Sequence, residues 1–253
     1  MSTETEPRWP ILVISLQDAA ERRAAVSKQL DALGLPFEFR DAIDGRSGLP
    51  AAYESQVDRP GTEAQFGRQM SDGEYACALS HLAAYREIVA ENLPGAIILE
   101  DDAILGDAFS LFVKEKGYDQ APLVQLDHQN ARVRRIGATS IKLESCELWP
   151  LHQNAFLTTG YALSQNAASF ILDHALPLRS PADWPCDLGP LGPYCTEPRI
   201  VDHPVAEQAG STLGAKRNTL VERQKRSLRY GRKYLESRYW KKKWMKMITR
   251  RLS

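Results

Sequence analysis

Three consecutive carboxylates, Glu100-Asp101-Asp102, close the apolar run Ala96-Ile97-Ile98-Leu99, and this junction constrains the chain more than any other stretch. An apolar run of this length behind Pro94-Gly95 predicts a buried strand of an α/β sheet. Ligands of open α/β sheets sit just outside the carboxyl ends of the strands. Three acids gathered there repel one another, and a hard divalent cation with oxygen ligands is the natural neutraliser. A solvated acidic turn is the plainer reading of the same residues.

The neighbouring segments supply the rest of such a sheet. Ile11-Leu12-Val13-Ile14 predicts a strand ending at Ser15-Leu16, followed by a helix over residues 19–33 that stops at Gly34. Phe37-Glu38-Phe39 predicts a second strand, so the opening is β-α-β, with a right-handed crossover and parallel pairing. Residues 46–69 show no period and read as a long surface loop. Ser71-Asp72-Gly73-Glu74 is a capping box that starts a helix running to about Glu91. Ser80 and His81 lie in its middle, where satisfying local hydrogen bonds is their ordinary role. A helix from about Asp107, a strand at residues 123–126, strand-like segments at 141–148 and 155–163, and a helix at 164–174 capped by Ser164 complete the core pattern. A strand at 199–201 then leads into Asp202-His203.

The 253 residues suit one large α/β domain with an appendage. The formal net charge of +0 conceals two opposed halves. From Lys216 onward fifteen Lys and Arg stand against two acids, whereas the preceding residues carry 17 basic against 30 acidic groups. We therefore divide the chain into a domain over 1–215 and a basic tail over 216–253, two parts that meet different partners. Cys77, Cys146, Cys186 and Cys195 form no CxxC pair, which argues against a zinc knuckle or a disulfide framework and fits a reducing compartment. No stretch has the order of a signal peptide or the length of a membrane span, so a cytoplasmic location is expected.

In order along the chain come Ile14-Ser15-Leu16, Glu21-Arg22-Arg23, Phe37-Glu38-Phe39-Arg40-Asp41-Ala42-Ile43-Asp44-Gly45, and Gly73-Glu74-Tyr75-Ala76-Cys77-Ala78-Leu79-Ser80-His81. Ile97-Ile98-Leu99-Glu100-Asp101-Asp102, Thr159-Gly160-Tyr161-Ala162-Leu163-Ser164 and Pro181-Ala182-Asp183 follow. In these pieces the chain resembles glycosyltransferase family 25, the lipopolysaccharide and lipooligosaccharide biosynthesis transferases, from about Pro10 to Leu213. Ala76 stands where that family usually has glycine. The resemblance implies a GT-A-type fold, a Rossmann-like, mostly parallel sheet flanked by helices. It also implies inverting transfer of a hexose, most often galactose from UDP-galactose, onto a glycan acceptor.

Such transfer needs the departing diphosphate stabilised, which Mn²⁺ or Mg²⁺ held by carboxylates does as a Lewis acid. Glu100 and Asp102 form an acid-x-acid pair that points to one side if the segment is extended. Asp102 is the expected metal ligand, with Glu100 and His203 as partners and Glu100 or Asp101 near the donor ribose. Inversion also needs a base for the acceptor hydroxyl. Asp183 is the first choice, with Asp187 behind it and Trp184 placed to stack on a sugar. Pro-x-Asp-x-Pro as a rigid turn is the alternative. Ser15, Leu16 and Arg22 are expected at the donor nucleotide, and His81, Gln125 and Asp127 on the sugar side.

In the tail, Arg and Lys alternate with Tyr239, Trp240, Trp244, Met245 and Ile248, the pattern of a basic amphipathic helix on an anionic membrane. That places the protein on the inner face of the cytoplasmic membrane, with a lipid-linked glycan as acceptor. Packing of the tail on the domain is the second reading. A nucleic-acid partner is not expected, because the acidic body would repel a phosphate backbone. A non-catalytic sugar- or partner-binding module remains the alternative function. A metal-dependent phosphohydrolase lacks a carboxylate on the first strand.

Overall fold

The structure is a computed structural model that describes residues 9–204 and 237–252. Strand β1 (Ile11–Ser15) leads through helix α1 (Ala20–Ala32) to β2 (Glu38–Asp41), which pairs parallel to β1. Residues 46–69 are not one open loop. They hold a 3₁₀ turn (Ala51–Gln56) and helix α2 (Arg59–Phe66), begun by Asp58, whose side chain accepts from Gly61 N at 2.8 Å. The missed signal is Asp58-Arg59-Pro60, an acidic cap ahead of a proline in the first turn.

Helix α3 (Asp72–Ala90) starts at the expected capping box: Ser71 Oγ accepts from Glu74 N, and Glu74 accepts from Ser71 N. Next come β3 (Gly95–Glu100), β4 (Ile104–Leu105), α4 (Asp107–Lys114) and β5 (Leu123–Gln125). Three short strands follow, β6 (Arg132–Arg134), β7 (Ile141–Lys142) and β8 (Glu147–Pro150). The expected strand at 155–163 begins only at Gly160, as β9 (Gly160–Ser164), and runs into α5 (Gln165–Ala175) with Ser164 as its cap. β10 (Tyr194–Glu197) and β11 (Val201–Asp202) end the body.

The main sheet has the order β2-β1-β3-β9-β5-β10-β8-β7. Six of these eight strands run one way, and β9 and β8 oppose them. Alternate residues of β1 and β3 face opposite cores. Leu12, Ile14, Ala96 and Ile98 pack under α3 and α5, while Ile11, Val13, Ile97 and Leu99 pack under α1 and α4. Burial on both faces explains why these strands read as unbroken apolar runs.

The tail holds helix α6 (Ser237–Ile248) and strand β12 (Thr249–Arg251), which pairs antiparallel with β6. The end of the tail is therefore a strand and not a continuing helix. β6 offers an edge, and Leu252 buries against Ala131, Val133 and Ala155. The remainder of the expected basic helix, and the 215/216 boundary, lie outside the described residues.

Ile98 is fully buried in the central strand, so Ile98→Ala should cost about 2–5 kcal/mol of unfolding free energy, read from urea melts of the two proteins.

Candidate active site

β1, β3 and β5 end on one rim of the sheet, and antiparallel β9 begins there. Glu100 N donates to Thr159 O at 2.8 Å and Asp127 N to Gly160 O at 3.2 Å, so the segment before β9 lies between the ends of β3 and β5. A parallel strand in that position would have sent residues 157–159 to the opposite edge.

Each acid of the triplet has a different environment. Asp101 is buried and joins two strand ends: Oδ2 accepts from Ser15 Oγ at 2.6 Å, and Oδ1 meets Arg22 at 3.1 Å. Burial raises its pKa, and the Ser15 and Arg22 contacts oppose that rise. Glu100 Oε1 accepts from Thr158 Oγ1 at 2.9 Å and lies 3.2 Å from His81 Nε2. Burial pushes the Glu100 carboxyl up, but the His81 and Thr158 hydrogen bonds outweigh it and hold the group below its ordinary range. His81 Nδ1 is 2.7 Å from Tyr161 Oη, which is 2.6 Å from Tyr85 Oη. Asp102 receives repulsion without comparable support. Burial, Glu100 and Asp101 together raise its pKa to about 6, and its Oδ1 is buried with no hydrogen-bond partner.

The extended acid-x-acid geometry does not hold, because β3 ends at Glu100 and residues 101–102 turn. Nor do Glu100, Asp102 and His203 gather as a trio. Among the described residues, Cys77, His81 and Glu100 alone present three ligand atoms within 4.8 Å of one another. His203 Nδ1 instead lies 2.7 Å from Oδ2 of fully buried Asp127, whose Oδ1 accepts from Arg199 at 3.2 Å. β11 pairs with β4 in the register Val201 to Leu105 and Asp202 to Ile104, and His203 lies just beyond the paired residues.

Asp183 meets this cluster through two adjacent residues. Leu157 N donates to Asp183 Oδ1 at 2.9 Å, and the next residue is Thr158, the donor to Glu100. Leu157 and Trp184 both hold positive φ (83° and 72°), a strained conformation for large side chains that concentrates at functional sites. Trp184 does not face a sugar. It is buried edge-on against Tyr161, ring centroids 5.1 Å apart, because the turn folds it into the core beneath α3 and α5. Asp187 is exposed, and its Oδ1 accepts from Gly189 N at 3.0 Å, closing a local turn. Fully buried Gln125 donates to Ala155 O and Leu157 O, so it supports the 155–158 segment and does not face a ligand.

A cleft of about 360 Å³ opens between the rim, the 42–46 loop and the first turns of α3. Ile14, Leu16 and Ile43 contribute apolar groups to its lining, and Arg22, Glu100 and Asp101 contribute charged ones. Its size and its mixture of apolar walls with a few polar groups suit a small-molecule site. Ser80 sets the loop, with Oγ accepting from Ile43 N at 2.8 Å and donating to Ala76 O at 2.7 Å. Gly45 lies so close to α3 that a Cβ there would sit 2.5 Å from Asp72 O. Sequence reasoning missed Tyr161, Tyr85 and Thr158, whose roles depend on where β9 inserts.

The donor set fits a divalent cation: an unpartnered carboxylate oxygen on Asp102, beside two further acids, is a site that positive charge would relieve.

Residues 9–186 match the profile described as glycosyltransferase family 25 (LPS biosynthesis protein). The chain is 33% identical over 185 residues to the lacto-N-neotetraose biosynthesis glycosyltransferase LgtB of Neisseria meningitidis serogroup A, covering 68% of this chain and 64% of that protein. It is 31% identical over 179 residues to LgtE of N. meningitidis serogroup B, covering 68% and 62%. A Rattus norvegicus protein named "probable inactive glycosyltransferase 25 family member 3" is 33% identical over 102 residues, 39% of this chain and 18% of that one. The chain thus spans just under two thirds of the length of the two Neisseria relatives.

The raised Asp102 pKa has a consequence for stability. The unfolded carboxyl titrates near 3.9, so between about pH 4 and 6 the folded state binds more protons and stability falls as pH rises. Above that window the charged, partly exposed group costs on the order of 2 kcal/mol. Asp102→Asn should therefore raise the metal-free protein's stability at pH 7–8 and remove this slope, with little change below pH 4. Urea melts across pH read this, and an unchanged slope in the variant would refute it.

Proposed function

Because the chain belongs to glycosyltransferase family 25, we propose that it is an inverting hexosyltransferase. It moves galactose from UDP-galactose onto a lipopolysaccharide or lipooligosaccharide acceptor. The observation that carries this reading is the linkage of Asp183 through Leu157-Thr158 to Glu100, which lines a cleft of about 360 Å³.

In this mechanism the apolar groups of Ile14, Leu16 and Ile43 receive the nucleobase, and Arg22 meets the diphosphate. Mn²⁺ or Mg²⁺, when bound, supplies Lewis-acid charge that stabilises the departing diphosphate. Asp102 would hold such an ion through its unpartnered Oδ1, where the neighbouring charges of Glu100 and Asp101 favour a cation. Asp101 fixes the ends of β1 and β3 so that the donor meets a preorganised rim. Asp183 takes the proton of the acceptor hydroxyl as that oxygen attacks the anomeric carbon from the face opposite the leaving group. A carboxylate separate from the metal ligands suits this role, because a cation lowers the basicity of the acids it touches.

We assign the tail to the membrane that carries the acceptor. Trp240, Trp244 and Met247 recur at one-turn spacing on α6, all exposed, with Lys243 and Lys246 exposed beside them. β12 fastens this helix to the body, and Arg250 stacks 4.4 Å from the Trp149 ring centroid. An aromatic stripe flanked by lysines suits an anionic interface and is a poor candidate for core packing. Among the described residues no helix is long and apolar enough to cross a membrane. The attachment we propose is through this amphipathic face, peripheral at the inner face of the cytoplasmic membrane.

Calorimetric titration with UDP-sugars, with and without Mn²⁺, should show metal-dependent binding of UDP-galactose. Asp183→Asn should keep that binding and lose at least about 100-fold in transfer rate. Absence of binding to every nucleotide sugar would favour a non-catalytic module instead. Trp240→Ala/Trp244→Ala should move the protein to the supernatant when sedimented with phosphatidylglycerol-containing vesicles. Unchanged partitioning would exclude this face as the membrane contact.

A further inference from the structure

We propose that Cys77, His81 and Glu100 form a site for a soft divalent cation of the zinc class, distinct from the oxygen-rich position at Asp102. The reading does not depend on whether the chain transfers a sugar. Cys77 and His81 are one helical turn apart on the same face of α3, and Glu100 ends the strand that this face covers. Their three ligand atoms already lie within 4.8 Å of one another. Zinc bound at about 2.0–2.3 Å in tetrahedral geometry separates its ligands by roughly 3.3–3.8 Å, so side-chain rotations of about an ångström close the site.

His81 is set up as a metal-binding histidine. Its Nδ1 is hydrogen-bonded to Tyr161 Oη at 2.7 Å, and that hydroxyl is held by Tyr85, leaving Nε2 directed at Glu100. A ring nitrogen anchored by an outer partner, with the other directed at the ion, is the usual arrangement around bound zinc. All three residues are among those that line the cleft, which gives the ion an entry path. Burial first, and then the charges of Glu100, Asp183, Asp102 and Glu74, hold the Cys77 thiol well above its ordinary range, and those same charges favour a cation beside the sulfur. Binding replaces the Cys77 S–H bond with a sulfur–metal bond and releases the proton to solvent. Mn²⁺ and Mg²⁺ prefer oxygen ligands, whereas a thiolate with imidazole selects zinc. An ion here engages Glu100 in the cleft lining, so zinc should compete with any ligand of the cleft.

The test is titration of the purified full chain with Co²⁺, a spectroscopic stand-in for zinc, together with calorimetry of Zn²⁺ binding. The wild-type chain should develop a near-ultraviolet thiolate-to-cobalt band. Cys77→Ser should lose the band and bind Zn²⁺ more than about tenfold less tightly. Cys186→Ser, which alters the other partly exposed thiol, should keep both. A wild-type chain without the band, or a band that survives Cys77→Ser, overturns the proposal. Circular dichroism melts of both variants establish that they are folded.

Discussion

Mutual repulsion among Glu100, Asp101 and Asp102 is the constraint around which the rim of the sheet is arranged. The protein meets it by giving two of the acids side-chain partners and leaving one oxygen of the third, Asp102 Oδ1, without a hydrogen bond. Asp101 is compensated by Ser15 and Arg22, which also fastens β1 to β3 at the edge where a ligand would sit. Glu100 is compensated by His81 and Thr158, which couples α3 and the start of β9 to the same edge. Asp102 is left with a buried unpartnered oxygen and a raised pKa.

Strand order then determines which groups reach that rim. β9 lies antiparallel between β3 and β5, so its leading residues arrive at the carboxyl ends of both neighbours. Thr158, Leu157 and, through Leu157, Asp183 reach Glu100 by that route alone. Gln125 and the Asp127–Arg199–His203 cluster then support the adjoining segments. The polar groups of the rim thus form a connected network, and most of its members hold one another in place.

The tail follows a different logic. Its last residues complete an edge of the body through β12 and Leu252, and this fixes the position of the helix before them. The apolar stripe of that helix faces outward. A segment that was only an extra core element would have buried its tryptophans, because they hold the largest apolar area available to it.

The sequence alone determined the elements whose signals are local. The apolar runs of β1 and β3, the Ser71 capping box and the Ser164 cap each depend on residues within one turn or strand, so their placement was legible. The position of the acid triplet at the end of a buried strand was legible for the same reason. The cap of α2 was equally local, but it was hidden in a segment without hydrophobic period. Partnerships between side chains far apart in the chain were not legible. His203 was expected to join the triplet and instead meets Asp127. Trp184 was expected at a sugar and is buried on Tyr161. The 155–163 segment was expected as one strand, yet its first half stays irregular to carry Leu157 and Thr158. These outcomes follow from the insertion of β9 and the β4–β11 register, and both are decided by non-local pairing that residue order does not encode in any single window.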